Sequence, residues 1–130
     1  FTPKDMGRLH TPDIRKLIAE INLAYTPEFI LSDAVEVFTD GGPMQGTRKN
    51  ANVMLLTSDR VALDAVGLAV LKSVGANSAI TDTPIWQQDQ IARAVELGLG
   101  ATSAAEIEIV TDDDTSAAVA AKIREILDKG

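Results

Sequence analysis

The segment that most constrains how this chain can fold is the run of residues from Asp59 to Val74. Its large apolar side chains cover nearly the whole circumference of a helix, and they are Val61, Leu63, Val66, Leu68, Val70 and Leu71. Ser58 or Asp59 is a suitable N-cap residue, and Gly75 is a suitable terminator. A helix that is apolar on all sides is stable only when other elements cover it. We therefore expect this helix to be largely buried.

Three more helices and three strands are predicted along the chain. The helices run from Thr11-Pro12 to Tyr25, from Thr83-Pro84 to Leu97, and from Thr115 toward the C-terminal end. The strands are residues 29–38, 53–56 and 106–109. Between the first two strands, residues 39–52 contain three glycines and no apolar periodicity, so we predict a long loop there.

The order of these elements is typical of an α/β domain. No helix separates the first two predicted strands, so they can pair antiparallel, whereas the second and third can be joined by a right-handed parallel crossover. The chain has 130 residues, which fits one domain. We therefore predict a single layered α/β domain over residues 1–130, with a small mixed sheet of about three or more strands covered by helices.

Charge and residue content exclude several classes of partner and cofactor. The 12 basic and 19 acidic side chains give a net charge of −7, which disfavours nonspecific binding to nucleic acid or anionic lipid. No apolar run is long enough for a membrane-spanning helix, and no cysteine is present to form a disulfide or hold an iron–sulfur cluster. We expect a soluble, cytoplasmic protein with no nucleic-acid and no membrane partner.

The chain begins at Phe1 and shows no signal peptide. We therefore expect a fragment of a longer protein, with the missing N-terminal portion as its partner.

The glycine-rich segment of the predicted loop contains Gly41, Gly42 and Gly46. The spacing from Gly41 to Gly46 matches a phosphate-binding P-loop, but Thr47 stands where that motif requires lysine, and a strand follows in place of a helix. The P-loop interpretation therefore fails. Two interpretations stay open: glycines that let backbone amides approach a ligand, and a plain flexible turn.

Three aspartates are candidates for a binding site. Asp59 and Asp64 are five residues apart on one predicted helix, so their carboxylates do not share a face, and Asp59 is explained by N-capping. Asp64 lies in an apolar helix, where an ionised carboxylate needs a partner. Arg60 or the backbone can tether it, and a ligand or metal is the alternative. Asp33 can face the mouth of the sheet and join Asp64, or it can point outward from its strand.

A divalent metal is a further candidate ligand, held by the oxygens of Asp33 and Asp64. His10 is the only histidine, and one histidine cannot make a histidine-rich metal site, so a surface or capping role is the main alternative for it. The acidic run at residues 112–114 directly precedes Thr115. Its position at the start of the last predicted helix is explained by the helix dipole without any bound cation.

Five segments taken in order carry a family resemblance: Gly7 with Leu9-His10, Phe29-Ile-Leu-Ser-Asp33-Ala, Gly41-Gly-Pro-Met-Gln-Gly46, Ser58-Asp59-Arg-Val-Ala-Leu-Asp64-Ala-Val, and Gly98-Leu-Gly100. Together they resemble the family catalogued as domain of unknown function 362. The resemblance implies longer relatives, many with a cysteine-rich ferredoxin-like segment, and it implies that this chain is the C-terminal part of such a protein. An iron–sulfur cluster would then lie elsewhere in the full-length protein. The family tends to have proline where Arg60 stands, which favours a pairing of Arg60 with Asp64.

The family resemblance implies no established reaction, so two functional hypotheses follow. The first is a ligand- or metal-binding domain of a larger, iron–sulfur-linked redox protein, with a small-molecule ligand in an acidic and glycine-rich site. Its expected residues are Asp33, Gly41, Gly42, Gly46, Asp59 and Asp64. The second is a noncatalytic structural or assembly module. Catalytic residues cannot be assigned from the sequence.

Overall fold

The computed structural model describes residues 10–130; Gly7 and Leu9 of the family-like segments lie outside them. Within that range the fold is mixed α/β, with five α-helices and one two-stranded antiparallel sheet. The elements are α1 Ile14–Ile21, β1 Ile30–Gly41, β2 Gly46–Thr57, α2 Arg60–Ser73, α3 Ser78–Thr81, α4 Asp89–Glu96 and α5 Asp114–Lys129. Short 3-10 turns are Asn22–Ala24, Ile85–Gln87 and Ala104–Glu106. No helix in this part of the chain is long and apolar enough to cross a membrane.

Helix α2 is the centre of the core, as its apolar sequence predicts. It packs against α5 and against both strands. The buried face is narrower than expected, because Leu63, Leu68 and Leu71 are only partly buried while Ala65 and Ala69 are completely buried. Alanine adds little volume, so neighbouring elements approach the helix closely along this stripe.

The loop predicted over residues 39–52 is wrong, because both strands continue through it. β1 and β2 form one long antiparallel hairpin whose ladder extends to the Gly41–Gly46 pair. Residues 41–50 are all exposed, since this end of the hairpin projects beyond the helices. An exposed strand needs no apolar alternation, and the sequence therefore contains no strand signal there.

A β-bulge interrupts the regular pairing of β1 and β2 next to Ala34. The strand register shifts between Ala34 and Glu36, whose partners Val53 and Asn50 are three positions apart, so the extra residue lies on β2. Ala34 is buried before the bulge and Thr39 after it, while Val37 packs against the core between them. The inward positions of β1 thus change from even to odd numbers across this irregularity of the ladder.

The predicted third strand at residues 106–109 is not confirmed. The segment is extended after the Ala104–Glu106 turn, but the sheet within residues 10–130 has two strands. Arg124 of α5 donates hydrogen bonds to the carbonyl oxygens of Ala104 (2.9 Å) and Ile107. The alternation of buried Ile107 and exposed Glu108 is present, yet it comes from packing on the core and not from pairing in a sheet.

The helix predicted from Thr83-Pro84 to Leu97 is divided in two. Ile85–Gln87 forms a 3-10 turn, and Gln88 has extended backbone (φ −61°, ψ 130°) before α4 begins. The Gln88 side chain is buried and donates to the carbonyl oxygen of Ala79 at 3.3 Å. This hydrogen bond anchors the break, and it also holds α3, a short helix in the segment between two predicted helices.

Candidate functional site

Asp59 is fully engaged in structural hydrogen bonds. Its Oδ1 accepts from the backbone N–H groups of Val61 and Ala62, both at 2.8 Å, which makes it the N-cap of α2 as predicted. Its Oδ2 accepts from the backbone N–H of Ala101 at 2.8 Å. A Cβ on Gly100 would lie 2.2 Å from Asp59 Oδ1, so only glycine fits there. Asp59 therefore joins the start of α2 to the segment after α4.

Asp64 is the half-buried carboxylate of the domain. It lies one and a half turns into α2 and accepts a hydrogen bond from the Gln90 side chain of α4, with 2.5 Å between Nε2 and Oδ2. Burial raises the pKa of the Asp64 carboxyl above its ordinary value, and the hydrogen bond from Gln90 opposes part of that rise. A raised pKa at a partly buried carboxyl is a property that binding and catalytic sites share.

Arg60 is not the tether of Asp64, contrary to one interpretation of the sequence. Its Nη1 donates to the carbonyl oxygens of Asn22 and Tyr25, the latter at 2.9 Å. The guanidinium carbon also lies 5.6 Å from the centre of the Tyr25 ring, in cation–π geometry. Arg60 thus holds the turn after α1 against α2 and leaves Asp64 to Gln90.

A cavity of about 340 Å³ lies between α1, the start of β1, α2 and α4, and both Arg60 and Asp64 line it. Its apolar lining consists of Ile18, Ala19, Pro27, Phe29, Ile30, Val61, Leu63, Ile91, Ala94 and Leu99, and its polar lining of Asn22, Tyr25, Arg60, Asp64 and Gln90. A concave apolar surface with a few convergent polar groups is the common form of a small-molecule site. This is the candidate functional site.

The other predicted site residues lie elsewhere. Asp33 is exposed on the face of β1 opposite buried Ala34, where its Oδ1 accepts from the Val35 backbone N–H at 2.8 Å. It does not line the cavity of Asp64. His10 is exposed just before α1. Among residues 10–130 no group of three or more histidines, cysteines or acidic residues is arranged to hold a metal ion.

Gly41, Gly42 and Gly46 build the hairpin turn. Gly41 has a φ of +72° and Gly42 a φ of +91°, values that L side chains rarely adopt. A Cβ on Gly46 would lie 2.1 Å from the carbonyl oxygen of Asp40. The Gly42 N–H donates to the carbonyl oxygen of Gln45 at 2.6 Å and closes the turn. The turn itself therefore accounts for all three glycines, at the end of the hairpin that projects beyond the helices.

A second groove, of about 450 Å³, runs between β2, the segment 106–111 and α5. Asp59 lines its end, with both carboxylate oxygens already hydrogen bonded. The acidic run beside this groove serves the helix, because Asp113 caps α5 by accepting from the Ser116 N–H at 2.9 Å. Asp113 thus serves as the N-cap of α5, and the acidic run lies at the start of this helix, where the sequence predicts it.

Sequence reasoning missed Gln90, Asn22 and Tyr25, which complete the polar part of the cavity. Gln90 precedes buried Ile91 on α4, and nothing in the local sequence distinguishes it from a solvated glutamine. Asn22 and Tyr25 contribute their backbone carbonyls to Arg60, and backbone groups leave no sequence signal. Only the packing of α1 and α4 on α2 assembles these groups.

Comparison with known proteins identifies a family. A family model described as a domain of unknown function, DUF362, matches residues 2–69. The matched part is more than half of the chain and includes Asp33, the hairpin glycines, Asp59 and Asp64. No curated protein and no solved structure matches the chain significantly.

Proposed function

The chain belongs to the family of domain of unknown function 362, and on that premise we propose that it is a noncatalytic assembly module of a larger protein. The family description assigns no reaction, so the proposal rests on geometry. The observation that carries it is the apolar outer face of the β1–β2 hairpin. We define this outer face as the side chains of Phe29, Leu31, Val35, Met54 and Leu56, together with Asp33.

The outer face is large, apolar and open. Its five apolar side chains are 62%, 59%, 45%, 53% and 61% exposed in the order given. Leu31 is paired with Leu56 and Asp33 with Met54 in the ladder, so these side chains stand next to one another. Monomeric proteins seldom leave a contiguous apolar patch on one sheet face, and such patches mark interaction sites.

Sheet architecture gives a second argument for a partner. α2 covers the inner face of the hairpin. An antiparallel sheet can leave one face to solvent, but that face then normally carries polar side chains, and a two-stranded hairpin alone is marginally stable. The outer face is therefore the place where a second helical layer would complete the fold.

Charge indicates the chemistry of that layer. Asp33 lies between Leu31 and Val35 on the outer face, and the chain carries a net charge of −7. An amphipathic helix whose apolar stripe is flanked by basic residues would complement both features. The family resemblance implies longer relatives, and we place this helix in the remaining N-terminal portion of such a protein.

A small-molecule-binding function is the second candidate, favoured by the cavity at Asp64. The binding site of this second candidate is the cavity alone, because Asp33 and the glycine turn lie outside the cavity. A divalent metal and an iron–sulfur-linked redox partner stay predictions. Any iron–sulfur cluster would lie outside these residues, which contain no cysteine.

The assembly proposal is tested with synthetic helices. The chain is titrated with an amphipathic leucine–lysine peptide, its leucine–glutamate analogue and a leucine–lysine peptide of scrambled order, and backbone NMR shifts are recorded. We expect the leucine–lysine helix to move resonances of β1 and β2 and to bind at least about tenfold more tightly than either control. Equal affinity for all three peptides would contradict the proposal.

Two methionines supply a matched pair of variants. Met54→Ser removes a side chain of the outer face, whereas Met44→Ser changes a methionine that is 89% exposed at the hairpin turn. We expect Met54→Ser to weaken binding of the leucine–lysine helix and Met44→Ser to leave it unchanged. Binding to neutral lipid vesicles without binding to the helix would instead assign the outer face to a membrane surface and overturn the proposal.

A further inference from the structure

Two opposite charges face the cavity without pairing to each other. Arg60 and Asp64 are four residues apart on α2, so they lie on one face of the helix, and both line the cavity. Their hydrogen bonds nevertheless go to different parts of the molecule: Arg60 to the turn after α1, and Asp64 to Gln90. No ion pair joins them within residues 10–130.

Both groups keep hydrogen-bonding capacity. Asp64 uses Oδ2 for Gln90, and its Oδ1 accepts from no group in the described part of the chain. Arg60 donates from Nη1, while its Nη2 and Nε donate to no acceptor among residues 10–130. A carboxylate has room for several donors and a guanidinium has five N–H groups, so each can bind a ligand without losing its present partners.

The remaining cavity wall is suited to an aliphatic or aromatic group. Ile18 and Ile30 face it from α1 and β1, and Ile91 and Leu99 face it from α4 and the segment that follows. An apolar ligand alone would leave both charges uncompensated in a partly desolvated site. A simple amine would pair with Asp64 and leave Arg60 without a counter-charge, and a simple carboxylate would pair with Arg60 and leave Asp64 without one.

We propose that this cavity binds a zwitterionic α-amino acid with an apolar side chain. The ammonium group donates to Oδ1 of Asp64, the carboxylate accepts from the free guanidinium N–H groups of Arg60, and the side chain packs against the apolar wall. A zwitterion supplies both charges on neighbouring atoms and adds no net charge, which matches a site with one acid and one base. Phe29 belongs to both the outer face and the cavity lining, but the charge contacts of this inference involve no residue of the outer face, so the two proposals are tested by different ligands.

The test is a ligand series on the unaltered chain. L-leucine, 3-methylbutylamine and 4-methylpentanoate share one apolar body and differ in which charged groups they carry. NMR titration should show that L-leucine moves resonances of α2, α4 and Leu99 and binds at least about tenfold more tightly than either singly charged analogue. The absence of any shift at millimolar L-leucine, or an analogue that binds equally well, would overturn the proposal.

One variant and a matched control test the contact made by Asp64. Asp64→Asn should weaken L-leucine binding at least about tenfold while leaving the weak binding of 4-methylpentanoate unchanged or stronger, because the like charge is removed. The matched control is Asp82→Asn, which removes an exposed aspartate outside the cavity and should change neither affinity. Equal loss of L-leucine binding in both variants would contradict a specific contact. The ligand series needs no variant, so the proposal can be tested even if Asp64→Asn does not fold.

Discussion

The helical core and the hairpin of this domain differ in how completely they bury their own apolar side chains. In the core, Ala65, Ala69, Ile85 and Leu127 are completely buried, and α2 lies between α5 and the strands. On the hairpin, Leu31 is 59% exposed although it lies in a regular ladder opposite Leu56. Regular backbone hydrogen bonding therefore does not imply that the side chains of a strand are buried. The helical core buries its central side chains, whereas the outer face of the hairpin leaves its apolar side chains exposed to solvent.

The comparison is tested most strongly by one pair of leucines. Leu127→Ala removes a side chain that is completely buried on α5 and should lower the free energy of unfolding by about 2–5 kcal/mol. Leu31→Ala removes the same atoms from the outer face and should cost less than about 1 kcal/mol. Chemical denaturation in urea measures both. Similar losses in the two variants would show that the outer face is covered in solution.

The next largest effect is expected at Asp59, which accepts three backbone hydrogen bonds. Asp59→Ala leaves the start of α2 and the Ala101 N–H without their acceptor, so we expect a loss of about 1.5–3 kcal/mol. Asp113→Ala removes an exposed N-cap on α5 and should cost about 1 kcal/mol. Thermal and urea unfolding give the order of the two. A larger loss at Asp113 would contradict the role assigned to Asp59.

Two glycines distinguish the turn of the hairpin from the interior of a helix. Gly46→Ala places a Cβ 2.1 Å from the Asp40 carbonyl oxygen and should cost at least about 1 kcal/mol. Gly67→Ala lies within α2 with no atom near the new Cβ, and it should stabilise the protein by about 0.5–1 kcal/mol. Amide hydrogen exchange should show the first effect in β1 and β2 and the second in α2. A stabilising effect of Gly46→Ala, or a destabilising effect of Gly67→Ala, would contradict the role assigned to that glycine.

The smallest change in the free energy of unfolding, and the one that depends most on pH, is expected for a variant at Asp64. A carboxyl whose pKa is raised by folding stabilises the fold when protonated, so its contribution is present below its ordinary value of 3.8 and is lost as the pH rises through the raised pKa. Asp64→Asn cannot ionise and keeps an acceptor for Gln90. We therefore expect the variant to become more stable than the unaltered chain as the pH rises above about 4.

Urea midpoints measured across a pH series check this prediction. Arg60 and Tyr25, the other ionisable side chains that line the cavity, are the same in both proteins, so the difference in midpoint reports Asp64. A difference that stays constant with pH would show that the carboxylate is not penalised by burial.

Much of the fold could be predicted because its signals are local. The ends of α2 follow from the Asp59 cap and from Gly75, whose φ is +76°. The capping of α5 follows from the acidic run, because the donors that Asp113 satisfies lie within its own first turn. The start of β1 and its antiparallel pairing with β2 follow from β-branched residues and from the lack of a helix between them. Each of these depends on residues a few positions apart.

The incorrect predictions concern features that depend on tertiary packing and not on neighbouring residues. The hairpin end was hidden because exposed strands need no apolar pattern, and residues 106–109 resemble a strand because packing on a core also makes side chains alternate. Family membership was identified from the order of several short segments, and the matching family model confirms it over residues 2–69. No such pattern indicated where Asp33 and Asp64 lie relative to each other.

The sequence by itself therefore determined the central helix, its caps and the presence of a carboxylate in an apolar surrounding. Tertiary structure alone decided the partners of that carboxylate. Gln90 is 26 positions from Asp64, and Arg60 reaches Asn22 and Tyr25 across 38 and 35 positions. The physical reason is that caps and turns are satisfied by neighbouring backbone groups, whereas a side chain in the core bonds to whatever group the packing of distant helices brings within reach.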